Sequence, residues 1–293
     1  MNVRIAQKAH FLFENEGINK TFIKNVKTYK ASSYEPLTNF IYDLCLVFVL
    51  QGKKIAHLNG NTFIYDCDNY LVIPTTLPLK CETHVLNDEP FLGIIVSIDK
   101  SKMNEVISKI SEKNEIIAKN SLGIFSDSIT DKIEGLIDKL IDVLASKEES
   151  EILGEQIITE LYYRIAKGKN ADFLYKMFLN SSNENKIAQA LKIIHEGELD
   201  IDIHSLAKEV DMSDSSFYTH FKEVTSLTPL QYMKKIKLNK AKNLLLSHNY
   251  KIVEVSDMLG YINPSKFTRD FKSFFGVPPS KVEDLVSKEN LIN

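Results

Sequence analysis

The sequence has no tryptophan, three cysteines and three arginines (Arg4, Arg164 and Arg269) among 293 residues. Cys45, Cys67 and Cys81 are too few and too scattered for a disulfide framework or a zinc knuckle. No segment offers eighteen consecutive apolar residues, which excludes a membrane-spanning helix by pattern. The N-terminus lacks the basic stretch and apolar run of a signal peptide, so the expected location is cytoplasmic. No Ser/His/Asp order and no Gly-rich phosphate loop stands out, and no catalytic residue, metal ligand or cofactor site is expected. The basic residues are nearly all lysine, a bias that an AT-rich coding sequence would produce as readily as chemistry. What remains is a chain of ordinary globular composition, 44% hydrophobic and 26% charged, with room for two domains.

The most informative feature is a repeat in the last third. The chain reads LAKEVDMSDSSFYTHFKEVTSLTP from Leu206 to Pro229 and VSDMLGYINPSKFTRDFKSFFGVPP from Val255 to Pro279. Phe217, Phe221, Lys222 and Pro229 recur fifty residues on as Phe267, Phe271, Lys272 and Pro279. Ahead of the turn the offset is forty-nine (Leu206 to Val255, Val210 to Leu259), so the second turn carries one extra residue. Self-similarity at a fixed spacing marks a duplicated supersecondary unit, here a short helix, a tight turn and a second amphipathic helix. Paired units of this kind read DNA.

Net charge is −3, yet its distribution favours a polyanion. From Phe217 to Lys281 eleven Lys/Arg face four Asp/Glu, whereas from Glu184 to Ser216 three face eight. The positive charge falls on the second helix of each unit and on the helix between them, where phosphates would lie. A solvated lysine face accounts for any single lysine but not for this segregation.

Within each unit the spacing assigns roles. Asp202 and Ser213 are N-caps, and Asp214 follows in a first turn where the helix dipole favours it. Phe217 and Phe221, like Phe267 and Phe271, lie four apart and must face inward. Ala207 and Ser256 occupy matching small-residue positions where helices cross. Base contacts are therefore expected from Ser215, Tyr218 and Thr219 in the first unit, and from Ser265, Lys266, Thr268 and Arg269 in the second. Arg269 carries the main expectation, since a bidentate fork on guanine is the commonest specific contact; its alternative is a phosphate or Asp270. Ser213, Lys222, Asn263 and Lys272 are candidate phosphate contacts. From Pro229 to about Ser247 a helix is predicted, with Tyr232, Ile236, Ala241, Leu244 and Leu245 as its stripe. Its length of about 28 Å at about 1.5 Å per residue suits two recognition helices in successive major-groove faces. Its lysines (Lys234, Lys235, Lys237, Lys240, Lys242) fall on more than one face, so not all can touch phosphate.

The first hundred residues read as a sheet. Leu44 to Leu50, Lys54 to Leu58, Thr62 to Asp66, Tyr70 to Ile73 and Phe91 to Ile98 are short, apolar and separated by turn signals, with Asn59-Gly60 a strong hairpin signal. Such spacing suggests an antiparallel barrel or sandwich. Helices are predicted over Lys102 to Lys119, Asp127 to Ser146 and Glu151 to Ile165. The stripe Ile129, Ile133, Leu136, Ile137, Leu140, Ile141 and Leu144 fits a core or a homodimer interface equally. Ile152, Ile158, Leu161, Tyr162 and Ile165 continue it. The polar run from Asn180 to Asn185 is the expected linker.

The tail from Ile187 to Val282 resembles the DNA-binding domain of AraC-type transcriptional regulators, most specifically in GYINPSKFTRDFKSFFGVPPSKV (Gly260 to Val282). SSYEPLTNFIYDLCLVFVLQGKKIAHLNGNTFIYDCDNYLVIPTTLPLKCET and EPFLGIIVSID resemble the sensor region of one subgroup. Ser256 stands where an alanine is usual, and Val282 where an aromatic is common. The resemblance implies an α+β multidomain chain: a cupin-like antiparallel β-barrel (1–100), a helical bundle that dimerises in many members (101–180), and an all-α domain with two helix-turn-helix motifs (185–287). Its implied partners are double-stranded promoter DNA, RNA polymerase, a small-molecule effector and a second copy of the chain.

For the sensor half three readings stay open: an effector pocket, a redox sensor through Cys45, Cys67 or Cys81, or an empty barrel in a constitutive activator. Small buried hydrophobes are the plainer reading of the cysteines. A cupin-type enzyme whose tail mediates assembly is the alternative from another class. It is disfavoured because His57, Glu82 and His84 do not make the His-x-His and following Glu of a metal cupin.

Overall fold

The computed structural model describes residues 3–58, 60–87, 89–111, 123–178, 182–196 and 201–286. The chain opens with α1 (Val3–Lys8) and a 3-10 turn, then runs through nine strands: β1 (Gly17–Lys20), β2 (Val26–Ala31), β3 (Glu35–Tyr42), β4 (Cys45–Gln51), β5 (Lys53–Leu58), β6 (Asn61–Asp66), β7 (Asn69–Ile73), β8 (Leu77–His84) and β9 (Phe91–Ser97). After α2 (Lys100–Ser111), β10 (Phe125–Ser128) returns to the sheet, and helices follow: α3 (Asp131–Leu144), α4 (Lys147–Ala166), α5 (Asp172–Phe178), α6 (Asn183–Glu196), α7 (Ile203–Glu209), α8 (Asp214–Thr225), α9 (Pro229–Leu246), α10 (Ile252–Met258), α11 (Pro264–Phe275) and α12 (Glu283–Val286).

The strands form two antiparallel sheets, ordered β1-β2-β9-β4-β7-β10 and β3-β8-β5-β6. β-branched and aromatic residues at alternate positions give each strand an inner face. Tyr29, Val47, Val49, Leu71, Ile73 and Phe91 from the first sheet meet Ala56, Leu58, Tyr65, Leu79 and Cys81 from the second. The first sheet is apolar on both sides, because Leu46, Phe48, Leu50, Val72, Leu92, Ile94 and Val96 on its outer face pack against α1 and the helices. That double burial is why β4 reads as an uninterrupted apolar run rather than an alternation. Leu58 pairs with Asn61 across the predicted hairpin, and Gly60 has φ 84°; Asn59 lies outside the described residues.

All five strands predicted from sequence are present within a residue or so. β1, β2, β3, β8 and β10 were not predicted, because their polar, weakly alternating sequences, with Pro78 inside β8, resemble loops. β10 pairs with β7, so a boundary at residue 100 leaves one strand on the helical side. The helix predicted from Lys102 is α2, and its stretch beyond Ser111 lies outside the described residues, as do Asn180 and Ser181 of the expected linker.

The helical stripe is core. Ile133, Leu136, Ile137, Leu140, Ile141 and Leu144 of α3 are all buried in the cluster behind the first sheet, together with Ile158, Leu161, Tyr162 and Ile165 of α4. Thr130 and Ser146 cap the two helices through side-chain bonds from Ile133 N–H and Glu149 N–H. Ile152 departs from the expectation: it is 59% exposed. No helix among the described residues is long and apolar enough to cross a membrane.

Candidate nucleic-acid interface and sensor cavity

The repeat in the sequence is a repeat in the structure. α7 and α10 have seven residues each, α8 and α11 twelve each. In the first turn Asp211 (φ 53°) donates to Lys208 O and Met212 to Ala207 O, at 3.0 and 2.9 Å. In the second, Gly260 (φ 74°) donates to Asp257 O and Tyr261 to Ser256 O, both at 3.0 Å. Only Gly, Asn or Asp takes this left-handed position cheaply, which explains the residue types at the pivots. The extra residue of the second turn falls after the pivot, in the stretch holding the fully exposed Ile262. α8 and α11 both end on a left-handed residue, Ser226 and Gly276, whose N–H closes on Lys222 O and Lys272 O at 2.8 Å.

Packing repeats as well. Phe217 and Phe221 are fully buried with ring centroids 5.4 Å apart; Phe267 and Phe271 repeat this at 5.7 Å. α9 joins the units, its first half (Tyr232, Met233, Ile236) in the core of one and its second half (Leu238, Ala241, Leu245) in the core of the other. Ala207 and Ser256 are both fully buried, as the matching small positions require, but the Ser256 hydroxyl has no hydrogen-bond partner among the described residues.

The candidate contact residues line up on one face of each second helix. Ser213, Ser215, Tyr218, Thr219 and Lys222 are exposed, as are Asn263, Ser265, Lys266, Arg269 and Lys272, with Thr268 half-buried among them. Ser213 and Asn263 are N-caps, accepting from Ser216 N–H (3.4 Å) and Ser265 N–H (2.8 Å), and Asp202 caps α7 from Ser205 N–H at 3.0 Å. Asp270 is occupied by Lys234 at 2.8 Å, which leaves the Arg269 guanidinium facing outward. The basic charge of α9 is divided between its faces: Lys234 and Lys240 are exposed and Lys237 is half-buried. Lys242 is buried with its ammonium over the Phe275 ring, and Lys235 is half-buried over Phe274, its pKa lowered by that burial and by Lys80. The five lysines thus fall on more than one face, as their spacing indicates: Lys242 is turned inward, Lys235 is half-buried, and Lys234 is exposed but paired with Asp270.

Sequence reasoning missed the grip of the N-terminal half on this region. The Tyr232 hydroxyl donates to Thr76 O at 2.9 Å in a buried setting. Gly123 N–H donates to Val224 O at 3.0 Å in the last turn of α8, and a Cβ at Gly123 would stand 2.5 Å from that oxygen. The Asn39 amide donates to Phe274 O in the last turn of α11. α8 and α11 are thus both held at their C-terminal ends by the sheet domain. No periodicity signals such contacts, since each rests on backbone carbonyls.

Between the two sheets lies a cavity of about 200 Å³ whose walls include Tyr29, Phe40, Tyr42, Cys45, Lys54 and Phe91. Cys45 and Cys81 are buried, and burial raises both thiols, Cys81 to about 11; burial likewise raises Cys67. A reactive thiolate needs the opposite shift. The redox reading of the three cysteines finds no support, and Cys45 is better read as cavity wall. His57 and His84 flank Glu82 at 3.6 and 3.5 Å, but register places all three with Lys80 on the outer face of their sheet, away from the interior where a metal cupin holds its ion. Among the described residues no group of three His, Cys, Asp or Glu is arranged to hold a metal.

Two antiparallel sheets are followed by paired helical units with exposed second helices, the architecture of a two-part DNA-binding regulator. The chain matches the model of the AraC-type transcriptional regulator N-terminus over residues 22–173 and a helix-turn-helix domain over 206–284. It belongs to the AraC-type transcriptional regulators. The Msm operon regulatory protein of Streptococcus mutans is 23% identical over 80% of this chain and 81% of its own length. The lactose operon transcription activator of Staphylococcus xylosus is 24% identical over 84% and 85%. Among solved structures, ToxT of Vibrio cholerae bound to (E)-4-(8-methylnaphthalen-1-yl)but-3-enoic acid covers 91% of this chain and 98% of its own with a TM-score of 0.59 at 13% identity. ToxT bound to an unsaturated fatty acid gives 0.55 at 11%, over 87% and 93%. The tail that the alternative reading took for an assembly element matches the helix-turn-helix model.

Proposed function

We propose that this regulator reads promoter DNA with two helix-turn-helix motifs, α7–α8 and α10–α11, laid into successive major-groove faces by α9. The observation that carries this is the equivalence of α8 and α11: equal length, the same pivot and cap geometry, the same buried Phe pair and a free outward face. The eighteen residues of α9 span about 27 Å, near the roughly 34 Å turn of B-DNA. In this reading Arg269 reads a guanine, supported by Ser265, Lys266 and Thr268. Tyr218, Thr219 and Ser215 read the other half-site through hydroxyls and thymine methyls, with less discrimination. Ser213, Lys222, Asn263 and Lys272 hold phosphates.

The two-sheet domain, a cupin-like unit, is read as the sensor for a small molecule; ToxT has been solved with an unsaturated fatty acid bound and with a naphthalenyl butenoic acid bound. RNA polymerase is the downstream partner. Exposed Ile152 and Tyr163 on α4 are where a second copy would dock. The divisions at 1–100, 101–180 and 185–287 then separate sensor, helical connector and DNA-binding domain, with β10 crossing the first boundary. Fluorescence anisotropy with DNA from the chain's own promoter region tests the reading. Affinity should fall log-linearly and steeply with salt, while a salt-insensitive or absent interaction would reject it.

A further inference from the structure

The inner face of the four-stranded sheet carries a cation in an unusual setting. Lys54 alternates with Ala56 and Leu58 along β5, points between the sheets and is 6% exposed. Its ammonium stands 4.3 Å from the Tyr29 ring centroid, 5.5 Å from Phe40 and 5.8 Å from Phe91. Among the described residues it has no hydrogen-bond acceptor and no ion-pair partner. Glu35, the carboxylate of this interior, is taken instead by the hydroxyls of Tyr29 and Thr83. Burial lowers the Lys54 pKa, against the pull of Glu35 and Cys81.

An ammonium out of water and held by ring faces alone is costly, and the rings return only part of the loss. A methionine or leucine would fill the same space without that cost. The Lys54 side chain is also part of the cavity wall, and the exposed lining residues are Lys27 and Asp43 at the strand ends. The rest of the lining is chiefly aromatic and aliphatic. The cavity's three unused N–H donors therefore point into a space built for an apolar body.

We propose that this cavity binds a small organic anion, with its apolar or aromatic body between the sheets and its carboxylate accepting from Lys54. The inference rests on the sensor reading above and names the chemical class that reading leaves open. At about 200 Å³ the space is smaller than the pockets of drug-sized ligands, which fits an aromatic or medium-chain acid. The route to DNA is short. Phe40, Ile41 and Tyr42 of β3 line the cavity, and the preceding residue, Asn39, grips the end of α11. An anion that draws Lys54 off the Phe40 ring acts on the strand that holds a recognition helix. A ligand shifts DNA affinity only so far as it favours one placement of that strand.

The test uses the full chain and calorimetric titration with benzoate, phenylacetate, octanoate and decanoate, each beside its neutral twin (benzamide, phenylacetamide, octanol, decanol). At least one acid should bind tenfold or more tightly than its twin. Lys54→Met should bring the two within about twofold, and Lys54→Arg should keep a preference for the acid. The same acid should change DNA affinity at least threefold in the wild type and leave Lys54→Met unchanged. No binding by any acid, equal binding of the twins, or an acid preference that survives Lys54→Met overturns the proposal. If Lys54→Met does not fold, the wild-type acid-to-neutral ratio and Lys54→Arg decide it. DNA binding on the same preparations separates the two claims: intact DNA binding without acid binding removes the anion site alone, whereas absent DNA binding removes the regulator reading beneath it.

Discussion

Replacing Tyr232 by Phe removes one oxygen, and the structure says where its loss is felt. The Tyr232 ring is fully buried and packs edge-on against Phe221 at 5.4 Å, a contact that Phe keeps. The hydroxyl donates to Thr76 O at 2.9 Å across the junction between the sheet domain and α9. Without it, a carbonyl on a residue only 8% exposed loses its donor. A net hydrogen bond is worth about 0.5–1.5 kcal/mol, and an orphaned buried acceptor costs about 1–3 kcal/mol. Tyr232→Phe should therefore cost about 1–2 kcal/mol, read as a lower urea midpoint at an unchanged slope. Tyr232→Ala also removes the ring and should cost about 3–5 kcal/mol whether or not the domains are docked. The contrast is the point. If the domains come apart in solution, water replaces Thr76 O and Tyr232→Phe becomes neutral while Tyr232→Ala stays severe. An unchanged midpoint for Tyr232→Phe would refute the docked arrangement.

Further consequences concern single groups. Ser256→Ala should raise stability by about 1 kcal/mol in thermal or urea unfolding, because the Ser256 hydroxyl is buried without a partner among the described residues and Ala207 fills the matching site; a destabilised variant would show that the hydroxyl is satisfied. Lys272→Ala should weaken DNA binding about equally for all site variants and lower the salt slope by about 0.9, as loss of one phosphate contact requires. A loss confined to one base pair would make Lys272 a reader instead. Cys81 is an acid whose folded pKa is raised from 9.0 to about 11, so the unfolded chain releases its proton first. Stability should then fall as pH climbs from about 9 to 11, by about 1.4 kcal/mol per pH unit from this thiol. A Cys45→Ala/Cys81→Ala variant should show a shallower decline over that window, and an identical one would contradict the thiols' burial.

How legible all this was in the sequence depends on what each feature rests on. The helix pairs were readable because Phe217, Phe221, Phe267 and Phe271 impose helical spacing, and because Asp211 and Gly260 punctuate the turns. β4 and β9 were readable as apolar runs. β3 was not: Glu35 to Tyr42 mixes polar and aromatic residues because one face looks into the cavity and the other meets α11. Lys54 was written in plain alternation with Ala56 and Leu58, but period-two patterning marks an inward lysine only once the register is fixed. The contacts of Asn39, Thr76 and Gly123 left no trace, since their partners are the hydroxyl of a core tyrosine and main-chain carbonyls. That the lysines of α9 fall on more than one face was legible, but not that Lys242 and in part Lys235 turn inward, because their stems pack as core while the composition counts only their charge.

The most direct test of the central claim, that α8 and α11 together read promoter DNA, is genome-wide occupancy in the native host for the wild type and Arg269→Ala at equal expression. The account predicts discrete promoter peaks sharing two half-sites about one helical turn, roughly 10–11 base pairs, apart, with one half-site degenerate in the mutant. Peaks that keep an unchanged two-part motif in Arg269→Ala, or wild-type peaks with no shared motif, would contradict it.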